Sequence, residues 1–211
     1  MSKKHRHLIN AATMLGQGKN VYQAEIDAVC ESIDYLRFNV HFTSNIYEGQ
    51  PLPGGDSVNR LEYRPLEGFV FTVTPFNFTA IAMNLNMSVA LMANTTVWKP
   101  ATTAVLSGYY LMKIFEEAGM PEGVINFVPG PSGSFADTVL SHPDMAGLHF
   151  TGSTKIFQTL WKNVASNMDN YNCYPRLVGE TGGKDFVFAH PSADPEELAT
   201  EIGRASCRER V

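Results

Sequence analysis

Between Phe69 and Gly179 the chain repeats one pattern: a short apolar run rich in β-formers, then a longer helix-compatible segment. The runs are Phe69–Thr74, Thr95–Trp98, Gly123–Val128, Gly147–Phe150 and Arg176–Gly179. The segments between them are Phe78–Ala93, Thr103–Ala118, Ser134–Ser141 and Ser153–Asn167, the second stopped by Gly119 and Pro121. The runs recur about every 23–30 residues. A crossover of that length carries the chain back to start the next strand in the same direction. The pattern predicts an α/β fold, a parallel sheet with helices on both faces.

Upstream, Ile26, Val29, Ile33 and Leu36 recur at helical spacing, with Glu25, Asp27, Glu31 and Asp34 on other faces, which predicts a helix over 21–38. Residues 48–68 read as a connector punctuated by Pro51, Pro53, Gly54 and Gly55.

Composition closes off several classes. Of 211 residues, 44% are apolar and 18% charged, enough to bury a core and too apolar for disorder. A formal charge of −5 gives no basic footprint for nucleic acid or an anionic membrane. Cys30, Cys173 and Cys207 fit neither a disulfide framework nor a CxxC zinc site. The histidines are scattered with no HExxH, so no metal site is expected. Asparagines 77, 84, 86 and 94 break the apolar stretch from Phe69 to Trp98, and no apolar leader follows the basic Met1–His7 segment. A soluble protein is expected.

In an open parallel sheet the ligand crevice lies beyond the carboxyl ends of the strands. Polar clusters fall at each of those ends: Thr74–Asn77, Lys99–Thr103, Gly130–Gly133, Thr151–Ser153 and Glu180–Lys184. Packing alone does not require that. At Thr151-Gly152-Ser153 a strand turns into a helix, whose free N–H groups favour a phosphate. Gly152 lets the backbone approach closely, and Ser153 either caps the helix or donates to an oxygen. The fingerprint GxGxxG is absent, and Gly130-Pro131-Ser132-Gly133 only approaches it. Lys99 can donate to ribose hydroxyls or a phosphate, or be a solvated surface lysine. Asn77 can stabilise an oxyanion through its amide or cap the next helix. Glu180 can act as a general base on water or pair with Lys184 as a turn acid. His142 and His149 read as turn and strand residues, and Trp98, Trp161 and Cys30 as core.

Taken together, TPFNF at 74–78, WKP at 98–100, FTGS at 150–153 and GETGGKDF at 179–186, in this order and spacing, resemble the aldehyde dehydrogenase family. Segments 14–40, 66–70 and 75–81 are similar to its branch that oxidises L-glutamate γ-semialdehyde, the open form of 1-pyrroline-5-carboxylate. The resemblance covers roughly residues 8–195. It implies a Rossmann-like NAD-binding domain, incomplete at its C-terminus. Asn77 would hold the substrate oxygen and Glu180 would activate the deacylating water. Thr74, Lys99 and the loop Gly152, Ser153, Thr154, Lys155 and Ile156 would bind NAD. Thr102 stands where many members carry an acid, and Thr181 where leucine is commoner. The family's nucleophilic cysteine, in a Gly-Gln-x-Cys context, would lie just past residue 211. The resemblance further implies a small-molecule substrate, a homo-oligomeric full-length enzyme, and a mitochondrial matrix location in a eukaryote or a cytoplasmic one in a bacterium.

Glu201 to Val211 (EIGRASCRERV) reads as the translation of a widely used sequencing-library adapter, with Arg204, Arg208 and Arg210 crowded together after an arginine-poor region. The expectation is a native segment over 1–200, with 201–211 not native and Cys207 without a functional role. Three readings stand side by side: a fragment of a working dehydrogenase, itself inactive; a catalytically dead NAD-binding module; and an aldehyde dehydrogenase of another substrate class.

Overall fold

The computed structural model describes residues 1, 3–182 and 186–210, and the side chains of all of these except 132 and 204–210. It opens with helix α1 (Arg6–Gln17), closed by Gly18 in the left-handed conformation. The sequence reading assigned no helix there. Much of the buried face of α1 is polar, with Asn10, Thr13 and Gln17 beside Ile9 and Ala12, while Leu15 faces water.

Asn20 and Gln23 then form a reciprocal capping box that starts α2 (Val21–Ala24). A π-helical segment, Glu25–Cys30, joins it to α3 (Glu31–Glu48). The helix predicted over 21–38 therefore runs on to Glu48. Beyond Arg37 its apolar residues, Phe38, Val40, Phe42 and Ile46, are exposed, so no buried face marked the continuation. From Gly49 to Gly68 the chain is irregular apart from one bridge between Gly54 and Ser57, as the prolines and glycines predicted.

The alternation that follows matches the expectation. In order come β1 (Phe69–Val73), α4 (Thr79–Leu91), β2 (Thr95–Lys99), α5 (Val105–Glu117), β3 (Ile125–Phe127), α6 (Ser132–Leu140), β4 (Met145–Gly152), α7 (Thr154–Ser166), β5 (Arg176–Thr181) and α8 (Pro195–Arg210). Asp194 caps α8 by accepting from the N–H groups of Glu196 and Glu197, and the helix continues past Thr200 without a break. The five strands are parallel in the order β3-β2-β1-β4-β5.

Two apolar cores cover the two faces of the sheet. On one, Ile9, Val29, Met83, Leu111 and Phe115 pack on Trp98 and Ile125. On the other, Leu140, Leu160 and Val164 pack on Phe71, Leu148 and Phe150. Trp98 is fully buried, as expected, but Trp161 is 55% exposed. Helix α7 buries Leu160 and Val164, four apart on one stripe, which turns Trp161 outward against Phe157. Cys30 is half-buried rather than core, and its thiol faces Glu25. No described helix is long and apolar enough to cross a membrane.

Candidate active site

Strand order reverses between β1 and β4, and the crevice of such a sheet opens at that point, beyond the carboxyl ends. Thr74–Asn77 follow β1, and Thr151 and Gly152 end β4 with Ser153 just beyond, so the topology flanks the crevice with both clusters. Lys99 ends β2, and β5 brings Glu180 beside Thr151. Gly183, Lys184 and Asp185 lie outside the described residues, and the alternative pairing of Glu180 with Lys184 falls there.

The loop after β1 is held by its neighbour. Thr74 is buried; its N–H donates to the Lys99 carbonyl at 3.2 Å and its hydroxyl accepts from Trp98 Nε1 at 2.9 Å. Asn77 is half-buried in the turn before α4. The N-cap of that helix is Phe78, without a side-chain cap, so Asn77 is not the capping residue.

Lys99 is 5% exposed, which sets aside a solvated surface lysine. Its ammonium donates to the Pro100 carbonyl at 2.7 Å, and burial pulls its pKa below the ordinary lysine value. It forms one wall of a groove of about 450 Å³ with Pro100, Thr102, Val105, Pro129, Gly130 and Pro131. Lys99, Pro100, Thr102, Gly130 and Pro131 fall in the clusters expected at the strand ends, while Val105 and Pro129 carry no polar signal.

At the end of β4, Gly152 leads into Ser153, the N-cap of α7. The Ser153 hydroxyl accepts from the Ile156 N–H at 3.4 Å, so here the capping role is realised. Thr154, Lys155 and Ile156 form the exposed first turn, whose N–H groups and positive dipole end suit a pyrophosphate. A buried ammonium beside a groove and a helix start across the same edge form a donor set that fits a dinucleotide.

Glu180 lies one residue before the end of β5, exposed, and accepts from the Thr151 hydroxyl at 3.3 Å. Gly179 explains how β5 comes so close to α7. A Cβ there would sit 2.3 Å from the Phe157 ring, so a side chain would have to displace that ring or the strand that carries Glu180. His149 lies two residues before Thr151 on the same face of β4, with Nδ1 3.0 Å from the Leu85 carbonyl. Burial holds its pKa below the ordinary value, against the opposing pull of that carbonyl and of Glu180. Tyr35 on α3 is pushed up by burial and by the negative charges of Glu31 and Glu180.

These features agree with what the chain is similar to. A sequence model of the aldehyde dehydrogenase family matches residues 1–209. A probable delta-1-pyrroline-5-carboxylate dehydrogenase of Schizosaccharomyces pombe is 50% identical over 98% of the chain and 38% of its own length. The Agaricus bisporus delta-1-pyrroline-5-carboxylate dehydrogenase is 52% identical over 97% of the chain and 38% of its own. The crystal structure of the Mycobacterium tuberculosis delta-pyrroline-5-carboxylate dehydrogenase bound with NAD superposes with a TM-score of 0.92 at 56% identity, over 96% of this chain and 38% of that one. The chain thus spans well under half the length of the relatives it matches. The fold, the ordered motifs and these likenesses make the chain a member of the aldehyde dehydrogenase family.

Proposed function

We propose that this chain is the N-terminal, NAD-binding part of a dehydrogenase that oxidises L-glutamate γ-semialdehyde to L-glutamate in proline degradation, and that by itself it does not turn over. What supports the reading is that the topology sets Asn77 after β1, Lys99 at the end of β2 and Glu180 near the end of β5 along one edge of the sheet. The dehydrogenases named above support the substrate.

In this reading the chain supplies three functions. The buried Lys99 ammonium, Thr74 and the 450 Å³ groove receive the adenosine half of the cofactor, while Gly152 to Ile156 face its pyrophosphate. The Asn77 amide donates to the substrate oxygen as negative charge gathers there. The Glu180 carboxylate takes a proton from the water that releases the product. When bound, NAD accepts the hydride. The nucleophile that holds the acyl group comes from the rest of the enzyme, which works as a homo-oligomer in the mitochondrial matrix of a eukaryote or the cytoplasm of a bacterium. Residues 1–200 are the native part, and 201–211 translate an adapter.

The test compares the full-length enzyme with 1–211, following NADH formation from pyrroline-5-carboxylate and from simple aldehydes. Turnover of pyrroline-5-carboxylate by the full-length enzyme alone is expected. NADH from 1–211 above a no-enzyme control overturns the inactivity. A full-length enzyme that prefers simple aldehydes overturns the substrate. Long-read sequencing of the source DNA across codon 200 checks the tail, the expected result being a frame that continues into Gly-Gln-x-Cys.

A further inference from the structure

A group of buried residues outside the site grips it from behind. Thr79, the first residue of α4, lies two positions after Asn77 and is fully buried. Its hydroxyl is 2.8 Å from that of Thr13, and it accepts from Gln17 Nε2 at 2.8 Å. Phe78, the residue between Asn77 and Thr79, has the Lys19 ammonium 4.0 Å from its ring centroid, a cation–π contact. The Lys19 side chain is itself fully buried and donates to Asp27 Oδ2 at 2.8 Å, and Asp27 is equally buried on the π-helical segment. A buried ion pair of this kind repays its desolvation only in part, so stability alone is a weak reason to keep it, whereas fixing a geometry is a stronger one.

The helix start after Asn77 lacks a side-chain cap of its own, so these contacts from α1 and Lys19 hold it from outside. The same stretch of α1 reaches the loop after Lys99. Gly16 lies so close to the Thr103 carbonyl oxygen that a Cβ would stand 2.3 Å from it. One helical turn therefore touches both loops of the β1–β2 half of the crevice.

We propose that Thr13, Gln17 and the Lys19–Asp27 pair form a clamp on Phe78 and Thr79 that sets where the Asn77 amide points, making them positioning residues for the oxyanion donor. This rests on the role given to Asn77 above. Such a donor works only when aimed at the place where charge develops, and a misplacement of about 1 Å can cost on the order of 10²-fold in rate.

The experiment uses the full-length enzyme and a double-mutant cycle. Asn77→Ala is expected to lower kcat by about 10²–10³-fold. Thr79→Val, which keeps shape and removes the hydroxyl, is expected to lower kcat by roughly 10–100-fold when Asn77 is present. With Asn77→Ala already in place, it should cost less than about 2-fold, because the group it positions has gone. The Kd for NAD should stay within about 2-fold throughout. Lys19→Met is the second variant, with Lys19→Arg restoring most of the rate, and the same cycle applies should Thr79→Val not fold. Equal losses with and without Asn77, or a loss of NAD affinity in step with kcat, overturn the clamp. An Asn77→Ala enzyme with unchanged kcat overturns the role of Asn77 and the clamp with it.

Discussion

The two halves of the crevice are built differently. After β1 and β2, Thr74, Thr79 and Lys99 are buried and tied to Trp98, Thr13, Gln17 and Pro100. On the β4–β5 side, Ser153, Thr154, Lys155 and Glu180 are exposed, and the Thr151 hydroxyl donates to Glu180 between the two strands. Strand β5 closes the sheet on that side, with Val178 56% exposed. A group meant to stabilise charge gains from fixed surroundings, since it then needs no reorganisation during the reaction. A general base must meet water and hand on a proton, so it keeps solvent access. Within this chain, which spans 38% of the length of the relatives named above, the β1–β2 half is fixed by the chain's own contacts and the β4–β5 half is not.

The sharpest way to break that contrast uses the two tryptophans. Trp98→Ala, which removes a fully buried ring and the donor to Thr74, should destabilise residues 1–211 by about 3–5 kcal/mol in urea unfolding. Trp161→Ala should stay within about 1 kcal/mol in the same measurement. Equal losses would mean that the β4–β5 half is as firmly built as the other. Next in size, Glu180→Gln should lower kcat of the full-length enzyme by about 10²-fold or more with the KM for NAD little changed. Gly16→Ala should follow, costing about 1–3 kcal/mol of stability and raising the KM for NAD through the displaced Thr103 loop.

The smallest effect concerns pH. Burial holds the folded pKa of His149 below the unfolded value near 6.5. The unfolded chain takes up that proton first, so the contribution is complete above about pH 6.5 and is lost as pH falls toward the lower folded value. The urea midpoint should drop between pH 7 and 5.5, and His149→Gln should flatten that drop.

The part of the fold legible in advance was the alternating region, because each strand there is a short apolar run followed by a longer helix-compatible segment. Strand ends were less legible. Gly123 turns with a positive φ, so β3 shrinks to Ile125–Phe127, while β4 extends two residues beyond each end of its apolar run. Helix α1 was missed because polar residues do much of its buried work, and Trp161 was misplaced because an aromatic on a helix stripe reads as core until the stripe is fixed by its neighbours. The positions of the polar clusters were legible, since they follow from where strands end. The support behind Asn77 was not, because Thr13 and Gln17 lie 66 and 62 residues from Thr79 along the chain.

The π-helical segment has a consequence for how this chain tolerates insertions and deletions. A π turn takes up extra backbone within an otherwise α-helical run, and each residue of an α-helix advances the azimuth by about 100°. Removing one residue between Glu25 and Cys30 would let the run close into regular winding with α3 near its present azimuth, because the wider turn is what takes up the extra residue. Removing one between Glu31 and Tyr35, where the winding is already regular, would turn the rest of α3 by about 100°, and Asn39, which donates to Asn84 at 2.6 Å, would swing off its partner. The π segment is thus a place where a one-residue deletion should be tolerated, and the start of α3 one where it should not.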